Sequence, residues 1–247
     1  MAVSKPLSFD PRQVPVSRVD SHLPRVPHAH LQPDALRQRF AEPPEWAPEI
    51  EREPRFGERA LTQAAVLIPI VLRDAANGGP TVLLTLRSAH LSTHSGQIAF
   101  PGGKVDAQDA NAQAAALREA HEEVGLLPQQ VQVLGELPAY MTGTSYLVTP
   151  VVGLVTPQFD LKPNPSEVAD VFEVPLAFLM NPAHHRRHTV DWQGGQREWF
   201  SMPYTEHKPH GLGQSTPVER YIWGATAGML RNFYRFLLAE NTASEMQ

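Results

Sequence analysis

Residues 100–126 read FPGGKVDAQDANAQAAALREAHEEVGL, a glycine pair followed by a helical run that stops at a third glycine. At about 100° per residue, Leu117, Ala120 and Val124 share one side of that helix, while Glu119, Glu122 and Glu123 fall within a sector of roughly 100° on the other. Like charges at these spacings repel, and Arg118 offsets only part of the repulsion through its i+4 neighbour Glu122. A bound cation accounts for the cluster: an all-oxygen donor set suits Mg²⁺ or Mn²⁺, with the octahedron completed by water and substrate phosphate. Three glutamates alone describe a solvated acidic face better than a site. Gly102-Gly103 turns the reading, because glycines let backbone approach a ligand without a Cβ in the way.

The residues upstream agree. Residues 81–86 are β-branched and apolar and follow the turn Asn77-Gly78-Gly79-Pro80, so they read as a strand. Residues 97–100 read as a second short strand that feeds the glycine pair. Strand, glycine turn and acidic helix are therefore expected in succession.

Gly103, Asp109, Arg118, Glu119, Glu122, Glu123 and Gly125 together resemble the signature of the Nudix hydrolase family. Asp109 stands where most members carry Glu, and the interval to Arg118 is one residue longer than the general pattern. That variant is similar to the one in the coenzyme A pyrophosphatase branch, which is also marked by an upstream motif. Here that motif reads Leu83-Leu84-Thr85-Leu86-Arg87-Ser88, then Gly96, then Phe100-Pro101-Gly102-Gly103, with Ser92 where the branch has an arginine.

The resemblance implies a Nudix-type α/β/α sandwich with a mixed β-sheet. It also implies metal-dependent hydrolysis of a diphosphate by water; with coenzyme A the products are 3′,5′-ADP and 4′-phosphopantetheine. Glu119 and Glu123 are the implied principal metal ligands, with Glu122 sharing or supporting a second ion and Arg118 orienting a carboxylate. Arg87, Gly102, Gly103 and Lys104 are implied substrate contacts, although Arg87 reads equally as an ion pair closing a strand. Asp109 braces the loop or the helix start. Glu119 and Glu167 both stand as general base. ADP-ribose or NADH is the alternative substrate, and a non-catalytic nucleotide sensor is the alternative class; the presence of all three box glutamates favours catalysis.

The rest of the chain bounds these readings. It has 247 residues, 42% of them apolar, and no cysteine, which removes disulfides, thiolate nucleophiles and cysteine metal sites. A net charge of −5 argues against a general nucleic-acid surface. The apolar run at 64–72 contains Pro69 and ends at Arg73, short of the ~18 residues a membrane span needs. The first ten residues lack a secretory pattern, so a cytoplasmic location is expected, with a small nucleotide substrate as partner and a homodimer allowed.

Ten of the 24 prolines lie in the first sixty residues. The expected organisation is a proline-rich extension at 1–58, a hydrolase domain at 59–241 and a tail at 242–247. The extension, which either wraps the domain or dangles from it, carries one short helix at 33–40 and, holding no motif residue, reads as dispensable. Strands are expected at 62–72, 131–137, 148–155 and 168–174, a short helix at 175–179 and a hairpin around Gly194-Gly195. The basic run at 184–188 reads as a solvated loop. A second long helix is expected at 217–239, with Tyr221, Ala225, Met229 and Phe233 as its core stripe.

Overall fold

The computed structural model describes residues 10–54, 60–90, 96–192, 195–210 and 214–240. In chain order the strands and helices are β1 (Val16–Val19), α1 (Pro33–Ala41), β2 (Thr62–Val71), β3 (Thr81–Arg87), β4 (Ile98–Ala99), β5 (Gly102–Lys104) and α2 (Ala112–Val124). There follow β6 (Val131–Glu136), β7 (Tyr140–Met141), β8 (Tyr146–Val155), β9 (Val168–Pro175) and α3 (Leu176–Leu179). The chain closes with β10 (Arg186–Trp192), β11 (Gly195–His210), β12 (Gln214–Trp223) and α4 (Gly224–Leu238).

A mixed sheet in the order β4-β3-β2-β8-β6 forms the centre, with β5 on β2, β7 on β8 and β9 on β3. Only β2 and β8 run parallel, over ten residue pairs from Thr62↔Tyr146 to Val71↔Val155. Both strands read as near-continuous apolar runs because both their faces are covered. On one face Ala65, Leu67 and Val71 meet Ala115, Ala116, Ala120 and Val124 of α2. On the other, Ala64, Ile68 and Ile70 join Leu36 of α1 and Leu230, Phe233 and Leu237 of α4. The expected layered arrangement, helix on sheet on helix, is the one observed.

α2 has clean ends. Asn111 caps its start by accepting from the Ala114 N–H at 2.9 Å, and Gly125 ends it in the left-handed conformation at φ 74°. A Cβ at Gly125 would also sit 3.0 Å from the Lys162 nitrogen.

Three expectations change. Residues 217–223 are strand, not helix: in Pro217-Val218-Glu219-Arg220-Tyr221-Ile222-Trp223 the residues Arg220 to Ile222 are buried together between β11 and the body, and α4 begins only after Gly224 at φ 62°. The four-residue spacing from Tyr221 to Ala225 is thus a coincidence across a strand–helix junction. Secondly, β12 belongs to a separate antiparallel sheet, β1-β10-β11-β12, of which the sequence suggested only the central hairpin. Thirdly, the basic run is no solvated loop: His185, Arg187 and His188 are 0%, 8% and 3% exposed.

The proline-rich segment wraps the body tightly. Val26, Leu31 and Leu36 are buried in the main core, and β1 pairs with β10. Asp20 and Glu49 bind Arg187 and Arg231 through a buried charge network in which Arg231 meets Asp20 at 3.1 Å and Glu49 at 2.7 Å. These contacts overturn the expectation that the segment is dispensable. Among the described residues no helix is long and apolar enough to cross a membrane.

Candidate active site

The glycine turn is stitched onto the central strand before the helix begins. Leu67 N–H donates to Pro101 C=O at 2.9 Å and Val105 N–H to Gln63 C=O at 3.1 Å, while β5 pairs Gly103 with Ala65. A Cβ at either glycine would collide, with backbone at Gly102 and with the end of a side chain at Gly103. A Cβ on Gly102 would lie 2.6 Å from the Val66 Cα, and one on Gly103 would lie 2.5 Å from the Glu119 carboxyl carbon. The box glycine therefore makes the space in which Glu119 sits.

Arg118 is the hub of the acidic face. Its Nε and Nη2 donate to both oxygens of Asp109 at 3.0 and 2.9 Å, and Nη1 donates to Glu119 at 3.0 Å and Glu122 at 3.1 Å. Nη2 also donates to the Lys104 carbonyl at 3.1 Å, whereas the Lys104 side chain is exposed. Asp109 in turn accepts from the Asp106 N–H at 2.8 Å. The two acids around it respond in opposite directions: hydrogen bonding to Arg118 lowers the Asp109 pKa, whereas burial raises that of Glu119. Asp109, one residue displaced from the general pattern, anchors the guanidinium that aligns Glu119 and Glu122.

Glu123 sits apart from that hub and is 3% exposed, not on an open helix face. It accepts from the Gly102 N–H at 3.3 Å and from Arg87 Nη1 at 3.4 Å. Burial outweighs both contacts and pushes its pKa up to about 7, with added repulsion from Glu119 and Glu167. Glu167 reaches this neighbourhood because the loop before β9 is tied to the end of α2. Lys162 N–H donates to Val124 C=O and Asn164 N–H to Glu123 C=O, each at 2.9 Å, and Ser88 N–H takes the Glu167 carbonyl at 2.8 Å. Arg87 at the end of β3, Glu123 of α2 and Glu167 thus come together from three separate stretches of sequence.

Among the described residues no three acidic or histidine side chains converge on one point as a ready ligand set. Glu119 and Glu122 are turned onto Arg118 and Glu123 onto Arg87, so the three box glutamates are gathered without being aimed at one centre. Their chemistry nonetheless fits a hard dication, since burial disfavours the charged form of Glu119 and Glu123 and a bound cation would offset that cost. Ser92 lies outside the described residues.

The layered fold joins a glycine turn, an arginine hub and a buried glutamate on the following helix, the arrangement of a hydrolase scaffold. The chain belongs to the Nudix family, whose NUDIX domain model matches residues 61–201. It is 44% identical over 184 residues to the "Uncharacterized Nudix hydrolase NudL" of Escherichia coli (strain K12) and to the protein of the same description from Shigella flexneri, covering 74% of this chain and 85% of each relative. Among solved structures it is similar to a Nudix hydrolase from M. Smegmatis, RenU, at 27% identity and a TM-score of 0.40 over 48% of this chain and 73% of that one. Hydrolases of the family generally use divalent cations such as Mg²⁺ or Mn²⁺.

Glu53 carries no local sequence signature. It accepts from the buried Tyr140 hydroxyl at 2.8 Å and from the Gly143 N–H at 2.9 Å, beside a cavity of about 240 Å³ under the N-terminal segment. Its partners lie almost ninety residues downstream, so no local pattern could have revealed it.

Proposed function

We propose that this chain is a divalent-metal-dependent pyrophosphohydrolase that cleaves the diphosphate of coenzyme A or its acyl derivatives, giving 3′,5′-ADP and the corresponding 4′-phosphopantetheine. The observation that carries the reading is the Arg87–Glu123 pair beneath the Gly102 N–H, because it joins the branch-type motif on β3 to the acidic helix in one site. Arg87 is a planar two-pronged cation that can leave Glu123 for a substrate phosphate.

When bound, Mg²⁺ or Mn²⁺ supplies charge neutralisation at the phosphate oxygens and acidifies the attacking water. Glu119 and Glu123 would hold it, with Glu122 alongside. Arg118, fixed by Asp109, keeps Glu119 and Glu122 in place, and the diphosphate would lie against the Gly102-Gly103 turn. Glu167, carried on a different segment from the ligands, takes the proton from the attacking water. Glu119 is the competing base.

The test is a panel of coenzyme A, acetyl-coenzyme A, dephospho-coenzyme A, ADP-ribose and NADH, assayed with Mg²⁺ and with Mn²⁺ and with products identified by mass spectrometry. Release of 3′,5′-ADP from coenzyme A is the expected result. Turnover restricted to ADP-ribose or NADH would overturn the substrate assignment, and no turnover of any member would overturn the enzymatic one.

A further inference from the structure

The ladder between β3 and β9 breaks at the end nearest the site. Val171 and Val168, three residues apart, both pack towards α2, while Phe172 and Val174 face the α4 side. Strict alternation along a strand would put Val168 on the face of Asp170 and Phe172. The register instead steps from Leu86↔Asp170 to Arg87↔Val168, leaving Ala169 as the extra residue of a bulge. Bulges re-aim side chains beside functional sites. Here the bulge leaves Asp170 on the α4 side and Arg87 paired to Glu123 of α2.

Asp170 is then gripped by the long β11–β12 hairpin. Arg220, its side chain 4% exposed, donates to Asp170 at 2.6 Å and to Glu206 at 2.7 Å, and its guanidinium lies 4.0 Å over the Phe172 ring. Lys208 Nζ adds a contact to Asp170 at 2.8 Å. Tyr204, the cross-strand partner of Arg220, packs 5.0 Å from Phe178 beyond the far end of β9, so β11 runs along β9 towards the end that bears Glu167. Two cations and two carboxylates cancel in this cluster, which makes it a clasp and not an anion site.

We propose that Arg220 and Asp170 are positioning residues for the diphosphate chemistry. By fixing the bulge they hold Arg87 against Glu123, and through the Ser88 N–H to Glu167 C=O bond at 2.8 Å they hold Glu167 near Glu119 and Glu123. The inference rests on the reading of Glu167 as the proton acceptor. A clasp on the opposite strand end gives an internal control: Arg73 binds Glu173 of the same β9 at 2.6 Å, remote from the site.

The experiment compares Asp170→Asn, Arg220→Gln, Arg220→Lys and Arg73→Gln by steady-state kinetics, thermal melting and amide hydrogen exchange. Asp170→Asn and Arg220→Gln should lower kcat at least about tenfold with KM held within about threefold, since small misplacements near reacting groups cost rate. Arg220→Lys should recover part of that loss. Arg73→Gln should lower the melting temperature comparably and leave kcat within about twofold of wild type, because it breaks an ion pair without touching the bulge. The Ser88 and Val168 amides should exchange faster in Asp170→Asn and not in Arg73→Gln. Should Arg220→Gln fail to fold, Asp170→Asn and Arg220→Lys carry the comparison. Normal kcat in Asp170→Asn overturns the proposal, as does an equal kcat loss in Arg73→Gln. Hydrogen exchange needs no substrate: if the wild-type protein hydrolyses nothing in the panel, the proposed function fails on that result, and unchanged protection at Ser88 in Asp170→Asn then overturns the clasp.

Discussion

At the scale of single residues, Glu123 carries opposing demands. Its ordinary pKa of 4.5 rises to about 7 on folding, so in the metal-free protein the folded state holds a proton that the unfolded chain releases. The sign follows: stability from this group is fully present below pH 4.5 and is lost as pH rises through 7, by up to about 3 kcal/mol. Glu123→Gln should therefore raise the melting temperature at pH 8 in EDTA, change it little at pH 4, and reduce hydrolysis about 10²-fold or more. Melting curves at both pH values decide the first part, and a variant no more stable than wild type at pH 8 would contradict it. Added Mn²⁺ should raise the melting temperature of wild type more than that of the variant. Ser92 poses a separate question. An arginine there would add a charge-assisted contact worth about 1.5–3 kcal/mol to a third phosphate, so Ser92→Arg should strengthen the preference for coenzyme A over dephospho-coenzyme A by roughly 10- to 100-fold. The ratio of kcat/KM for the two substrates measures this, and an unchanged ratio would remove position 92 from phosphate recognition.

At the scale of elements, α2 and β12 show what local sequence can and cannot specify. α2 announces itself by a capping Asn111, a 3.6-residue apolar stripe and the terminal Gly125, all contained in fifteen consecutive residues. The glycine turn and the placement of Glu119 and Glu122 around Arg118 were legible for the same reason, whereas the pairing of Glu123 with Arg87 of β3 was not. β12 was misread because its identity depends on pairing with β11, through contacts such as Tyr221↔Pro203 and Ile222↔Met202, which no window around residue 221 contains. The junction itself holds a testable constraint. Gly224 stands at φ 62° with open space where a Cβ would go, so a side chain meets backbone strain and no collision. Gly224→Ala should cost about 1–2 kcal/mol. Gly228→Ala should cost more, about 1–3 kcal/mol with displacement of Tyr140, since its Cβ would lie 2.8 Å from the Tyr140 Cζ. Denaturant titration of the two variants orders them, and a Gly224→Ala protein as stable as wild type would remove the strain argument.

At the scale of the whole molecule, the N-terminal segment is joined to the body by a shared core and a buried charge network. Its hydrophobic residues are too scattered for periodicity to register, yet Leu31 and Leu36 are 2% and 0% exposed. Arg187 and Arg231 stack on Phe200 at 4.4 and 5.2 Å and are neutralised by Asp20 and Glu49 from the segment, so removing residues 10–50 strips Arg231 of both carboxylates and leaves Arg187 with Glu198. The truncated chain should lose its cooperative melt. Asp20→Asn, a gentler cut, should cost about 3 kcal/mol or more. His185 makes the same assembly sensitive to acid. Its Nε2 lies 2.7 Å from the Leu179 carbonyl and must be the donor there, and its Nδ1 accepts from Arg231 at 3.1 Å, so the ring is neutral with its tautomer set by both neighbours. Burial first, then the Arg231 charge, pushes its pKa from 6.5 down to about 4. Because the folded pKa lies below the unfolded one, this contribution is present above pH 6.5 and is lost as pH falls through 4, by up to about 3 kcal/mol. His185→Gln keeps a donor for Leu179 and an acceptor for Arg231 but cannot take up the proton. Equilibrium unfolding between pH 6.5 and 4 should therefore give a shallower decline for His185→Gln than for wild type. Equal slopes would mean that the acid sensitivity of the molecule lies in its carboxylates, and the network would then be a static clip.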